Sequence, residues 1–154
     1  MIDTPKIIQT ELQLTAVIHL TVARSEITRV MGPAIAEILA ALAAQQLTPA
    51  GPCFSYHLRR PSEVFDFEVG FPVKAPITPN GRVKLSQLPA TKVAQTIYRG
   101  GYDGLGAAWG ELMAWINAQA GLVEQESLWE CYLIGPESSP DPAQWCTQLH
   151  RPLR

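Results

Sequence analysis

The chain has 154 residues, with 12 Lys and Arg against 14 Asp and Glu and a formal net charge of −2. That length suits one domain able to bury a core without metal or disulfide support. A near-neutral balance, with 47% apolar and 17% charged residues, is that of an ordinary globular protein and lacks the basic face that nucleic-acid binding demands.

Residues 7–22 alternate: Leu12, Leu14, Ala16, Ile18 and Leu20 share one face, Glu11, Gln13, Thr15, Val17 and His19 the other. That period predicts one half-buried strand. From Ser25 to Gln46 the period becomes helical, with Ile27, Val30, Met31, Ala34, Ile35, Ile38, Leu39 and Leu42 as the apolar stripe. Gly32-Pro33 predicts that regular helix begins near Pro33, where a missing amide donor is harmless. Thr48-Pro-Ala-Gly-Pro52 ends it. A hairpin follows, with strands over Cys53–Arg59 and Val64–Val73. In the second, Phe65, Phe67, Val69 and Phe71 alternate with Asp66, Glu68 and Gly70. The stretch 74–89, rich in Pro, Gly and Asn, reads as a connector.

The same order then recurs. Ala90–Arg99 is a predicted strand, and Asp103 in the Gly-rich turn is a candidate cap. A helix follows with Leu105, Ala108, Trp109, Leu112 and Ile116 as its stripe, and Gly121 as its stop. Ser127–Ile134 and Gln144–Leu153 are the closing strands. The chain therefore reads strand, helix, strand, strand, twice over, with units near 7–73 and 90–153 inside one domain of residues 1–154. Cys53-Phe-Ser-Tyr-His57 lies opposite Trp129-Glu-Cys-Tyr-Leu133, and Phe71-Pro-Val73 opposite Arg151-Pro-Leu153. The expected fold class is α+β: duplicated β-α-β-β units in one antiparallel sheet, both helices on one face and a ligand groove on the other.

Glu130 interrupts the apolar run Leu128-Trp-Glu-Cys-Tyr-Leu-Ile134. A carboxylate there is costly unless solvated, paired or protonated. Alternation groups it with Leu128, Tyr132 and Ile134. Trp129, Cys131 and Leu133 form the uncharged face, expected to meet the helices, so that Glu130 and Tyr132 look into the groove. Tyr56 and Phe54 share a face in the first unit, where Tyr56 would mirror Tyr132; Trp109 lies on the second helix. Glu68 would add acidity. Trp115 lies off the stripe.

Other chemistry finds little support. The three cysteines and three histidines are not spaced as a metal site. Arg99-Gly-Gly-Tyr-Asp-Gly-Leu-Gly106 lacks the Lys-Ser/Thr end of a phosphate loop and reads as a tight turn into the helix. The polar start is unlike a signal peptide, and no stretch reaches the ~20 apolar residues of a membrane span. A cytoplasmic protein with no cofactor and no membrane partner is expected.

Gly51-Pro-Cys-Phe-Ser-Tyr56, Phe65–Val73, Gly101-Tyr-Asp-Gly104 with Trp109-Gly-Glu-Leu112, and Trp129-Glu-Cys-Tyr-Leu133 together resemble the GyrI-like, or AraC-type effector-binding, domain family. The resemblance covers roughly residues 6–153. It implies the duplicated fold, which in multidrug-responsive regulators is fused to DNA-binding modules. It also implies a groove for small, aromatic, cationic molecules, with an acidic residue on the second unit's strand. That position is Glu130, with Tyr56, Trp109 and Tyr132 as flanking aromatics and Glu68 and Phe54 nearby. No helix-turn-helix precedes residue 7, so direct nucleic-acid binding is not expected. The expected function is a stand-alone small-molecule binding protein. The same resemblance allows a hydrolase of strained electrophilic rings using Glu130, and, further off, a gyrase-inhibitor-like module for a protein partner not identified by the sequence.

Overall fold

A computed structural model describes residues 2–154. In chain order its main elements are β1 (Lys6–Gln9), β2 (Gln13–Ala23), α1 (Ile27–Ala44), β3 (Phe54–His57), β4 (Val64–Pro72), β5 (Lys84–Leu88), β6 (Lys92–Arg99), α2 (Leu105–Ala118), β7 (Leu128–Ile134) and β8 (Cys146–Pro152). Strand pairing among the described strands is antiparallel. The fold is α+β, as expected. The chain divides into two compact units, Glu11–Ala90 and Thr91–Arg154, the latter joined by the N-terminal residues up to Thr10.

In the Glu11–Ala90 unit the strand order is β3-β4-β2-β5. Leu20 lies opposite Phe67, Ile18 opposite Val69 and Ala16 opposite Phe71. These apolar residues, alternate along both strands, form the face on which Ala34, Ile38 and Leu42 of α1 are buried. Val17, His19, Asp66 and Glu68 take the other face by the same alternation. Four expectations change here. The run 7–22 is two strands, because Lys6–Gln9 pairs with β6 of the other unit while β2 starts at Gln13; Leu12, in the break, is exposed. Helix α1 starts at Ile27, so Pro33 lies inside it, on the exposed side where its ring and missing N–H meet solvent. Leu39 belongs to that exposed side rather than to the stripe. The stretch 74–89 carries β5, which pairs along β2, and buries Ile77 and Val83 in the core.

With the short 3₁₀ turn before it, the Arg24–Ala44 helical segment is long and apolar enough, by length and composition, to cross a membrane, contrary to the expectation that no stretch is. Its apolar stripe packs on the sheet, as the core helix of a globular domain does.

In the other unit the order is β1-β6-β8-β7. Ala94 and Tyr98 of β6 and Leu149 of β8 form a core with Ala108, Leu112 and Ile116 of α2. Leu105, Trp109 and Trp115 pack against it. Helix α2 ends at Ala118, and Gly121 takes φ +82°, a left-handed conformation suited to glycine after a helix end.

The two units repeat β-α-β-β, and strand register aligns them residue by residue. Phe71-Pro-Val73 and Arg151-Pro-Leu153 do correspond. Counting back makes Val69 equivalent to Leu149, and their partners are Ser55 and Glu130. Ser55 and His57, not Phe54 and Tyr56, therefore occupy the places of Glu130 and Tyr132.

Candidate functional site

Glu130 lies directly opposite Leu149, which is buried beneath α2. Partners opposite one another share a sheet face, so Glu130 and Tyr132 point toward α2. The expectation was the reverse: Trp129, Cys131 and Leu133 were to meet the helix. They take the other face, where Trp129 stacks on His150 at 4.9 Å and Leu133 is exposed. The reason is local. The helix presents a donor, not only carbon, to β7.

That donor is Trp109. Its Nε1 donates to Oε2 of Glu130 at 2.6 Å, while the Tyr132 hydroxyl donates to Oε1 at 2.9 Å. Glu130 is 9% exposed. Burial raises its pKa above the usual carboxylate range, and the hydrogen bonds from Trp109 and Tyr132 pull it back down. Each oxygen has one donor from a neutral group, and no cation is close enough to form an ion pair with it among the described residues. The neighbouring Cys131 thiol is pushed up to about 12, by burial and then by the charge of Glu130, which leaves it a poor nucleophile at neutral pH. A carboxylate so placed holds its charge out of water, satisfies it incompletely, and can accept a cation or a proton.

The aromatic surroundings extend further than Trp109 and Tyr132. Tyr102 stands edge-on to Tyr132 at 5.8 Å and also lies against Trp145 at 4.8 Å. The indole of Trp145 donates to the Ser139 carbonyl at 2.9 Å, fixing its orientation. Neither Tyr102 nor Trp145 was among the expected site residues. The signal was present for one of them: Tyr102 lies within Gly101-Tyr-Asp-Gly104. Asp103 beside it does not cap α2, whose N-cap is Gly104 without a side-chain bond; a 3₁₀ turn over Tyr102–Gly104 leads into the helix instead.

Of the expected residues, Trp109 and Tyr132 are thus each hydrogen-bonded to Glu130. Phe54, Tyr56 and Glu68 belong to the other unit. Phe54 pairs with Gly70 and Tyr56 with Glu68, on the face of that sheet turned from α1. Tyr56 corresponds in register to Cys131 rather than to Tyr132, so it is not the mirror of Tyr132 within the repeat. Glu68 accepts from the Ser86 hydroxyl at 2.7 Å and has the Lys84 ammonium at 3.6 Å, so its charge is balanced locally. The place of Tyr132 is taken by His57, stacked on Phe67 at 5.1 Å and lowered by burial to a pKa of about 4. It is a neutral core group. Among the described residues no cluster of three or more His, Cys, Asp or Glu could hold a metal ion.

Comparison with known proteins bears on this arrangement. No curated protein matches the chain. Several solved structures share its fold. The crystal structure of the EcmrR C-terminal domain superposes with a TM-score of 0.85 at 22% identity, covering 98% of this chain and 97% of that one. In the EcmrR–DNA complex the TM-score is 0.84 at 24% identity over 98% of this chain, which spans only 57% of that longer protein. SAV2435 bound to tetraphenylphosphonium gives 0.70 at 13% identity, over 99% and 94% of the two chains. A hydrolase from Listeria innocua gives 0.69 at 12%, over 97% and 91%. The model of the GyrI-like small molecule binding domain matches residues 3–154, and the chain belongs to that family.

Proposed function

We propose that this GyrI-like domain binds amphipathic aromatic cations, with the Glu130 carboxylate as the charge partner and Trp109 and Tyr132 holding it in place. One observation carries the reading: an acidic group 9% exposed, with both oxygens bonded only by neutral donors, on a face lined with aromatic rings. A small hydrated cation would lose much hydration energy there. A cation whose charge is spread over aryl rings loses little, buries apolar area, and gains cation–π attraction of about 0.5–2 kcal/mol per ring. The relative SAV2435, bound to tetraphenylphosphonium, supports this choice of ligand class. In the cytoplasm such a protein would sequester a toxic cation or report it to a protein partner.

The test is a tryptophan-fluorescence titration with tetraphenylphosphonium and its anionic isostere tetraphenylborate. The cation binds and the anion does not, and Glu130→Gln weakens the cation at least about tenfold. Equal affinity for the two ions would overturn the reading.

The raised pKa of Glu130 favours a second reading, supported by the hydrolase from Listeria innocua among the structural relatives. As a general base, Glu130 would take a proton from water while the water oxygen attacks a carbon of a strained, electrophilic ring. The ring bond breaks, and the Tyr132 hydroxyl returns a proton to the departing atom. Ring-opened product from the wild type and none from Glu130→Gln would establish it; absence of product with both leaves binding alone.

A further inference from the structure

The register that makes Val69 equivalent to Leu149 also makes Phe67 equivalent to Thr147. Phe67 is a fully buried ring between Leu20 and His57, packed in the core beneath α1. Thr147 is buried as completely, between Tyr98 and Tyr132, on the face of its sheet where α2 packs. One place in the fold thus holds a large apolar ring in one unit and a hydroxyl in the other. That hydroxyl has no hydrogen-bond partner among the described residues. A buried polar group without a partner destabilises the chain, and valine, of nearly the same shape and as well suited to a strand, would avoid that cost. A threonine kept here points to a use for its hydroxyl.

Its position suggests which use. Leu149 lies directly opposite Glu130, so Thr147, two residues before it, is the diagonal neighbour of Glu130 on the same face. Such neighbours have Cβ atoms about 7 Å apart. Their side-chain oxygens can then approach the roughly 5 Å that separates two acceptors bonded to one ammonium nitrogen. The carboxylate itself has room: Trp109 and Tyr132 occupy one site on each oxygen, out of about four in all. We propose that Thr147 is a specificity-determining residue of the Glu130 site: its hydroxyl oxygen accepts the second N–H of a primary or secondary aromatic ammonium whose first N–H is bonded to Glu130. This rests on the reading of Glu130 as the cation's charge partner. Tetraphenylphosphonium has no N–H and loses little hydration on entry. An ammonium loses far more, and recovers it only where each N–H finds an acceptor. Thr147 thereby extends the site from onium ions to cations that carry N–H groups.

The experiment titrates N-methylbenzylammonium, N,N-dimethylbenzylammonium and benzyltrimethylammonium, which carry two, one and no N–H groups, at neutral pH where all three are cations. The proteins are wild type, Thr147→Val, Thr147→Ser and Thr15→Val. Thr15 is the control: its hydroxyl is also fully buried and without a hydrogen-bond partner among the described residues, but it belongs to the Glu11–Ala90 unit. Removing either hydroxyl is expected to raise the melting temperature. The secondary-to-tertiary affinity ratio falls about tenfold in Thr147→Val and stays within about twofold of wild type in Thr147→Ser and Thr15→Val. The tertiary-to-quaternary ratio, which reads the bond to Glu130, is the same in all four. A secondary-to-tertiary ratio unchanged in Thr147→Val, or lowered alike in Thr15→Val, overturns the assignment of Thr147 and leaves the Glu130 reading in force. So does a wild type that binds tetraphenylphosphonium and none of the three ammonium ions. A wild type that binds none of the four cations overturns the Glu130 reading itself. Should Thr147→Val fail to fold, Thr147→Ala removes the same hydroxyl and decides the matter.

Discussion

The indole nitrogen of Trp109 reaches Oε2 of Glu130 at 2.6 Å, so that α2 and β7 are joined by a hydrogen bond to a buried acid as well as by packing. Removing the donor while keeping an aromatic ring isolates that bond. Trp109→Phe is expected to lower the unfolding free energy by about 1–3 kcal/mol, because an acceptor is left buried with one donor fewer. Urea denaturation measures it. Glu130→Gln in the same assay should cost less, since an amide needs no charge solvation.

Ligand affinity should depend on pH through Glu130. Its pKa is raised by burial, so the proton leaves only above the ordinary value of 4.5. A cation prefers the ionised form. Affinity for tetraphenylphosphonium therefore rises with pH above that value and levels off once the acid is ionised, and it falls as pH drops through the raised pKa. Titrations between pH 5 and 8 read the slope, which Glu130→Gln should flatten. A pH-independent affinity in the wild type would contradict a charge role for this residue.

Stability should fall in mild acid for a different reason. His57 and His150 are both buried and lowered from 6.5 to about 4. Between those values the unfolded chain carries the protons and the folded one does not. Their neutral forms thus favour folding fully above about 6.5, and that contribution is lost as pH falls toward 4, at roughly 3 kcal/mol for each. The raised acid Glu130 works in the opposite sense, binding a proton more readily when folded. Melting temperature against pH in wild type and in His57→Phe checks this; the variant should lose about half of the histidine-driven decline.

Pro33 offers a stabilising change. It lies within α1 on the exposed side, where it lacks an N–H for the helix ladder. Pro33→Ala restores a donor and removes a clash with the preceding turn, and is expected to add about 1–3 kcal/mol. Chemical denaturation would show a higher midpoint at unchanged slope.

Much of the fold was legible in the chain. The alternation of Phe65, Phe67, Val69 and Phe71, and the spacing of Leu105, Ala108, Leu112 and Ile116, match the buried faces because burial itself imposes those periods. β5 was hidden: Pro76, Pro79 and Asn80-Gly81 dominate the stretch, and Lys84-Leu-Ser-Gln-Leu88 has too few apolar residues to announce a strand. Glu130 stands out in the sequence as a charge in an apolar run, but the face that alternation suggests for it is the opposite of the one it takes. A charge in an apolar run points to the side away from the helix, and nothing in the one-dimensional pattern says that Trp109 supplies a donor across the gap. Tyr102 and Trp145 escaped for a related reason. Their contact joins residues 43 positions apart, through two loops whose shapes no periodicity encodes.

The register equivalence of Ser55 with Glu130, and of His57 with Tyr132, has a consequence for how the two repeats tolerate change. In the first, the paired positions hold a small buried hydroxyl and a ring that burial keeps neutral, so uncharged rings of like volume should be accepted at His57. In the second, the same positions hold an acid and the phenol that steadies it, and volume is no substitute for either. Saturation mutagenesis scored separately for folding and for ligand retention would find the repeats alike in the first score and unlike in the second.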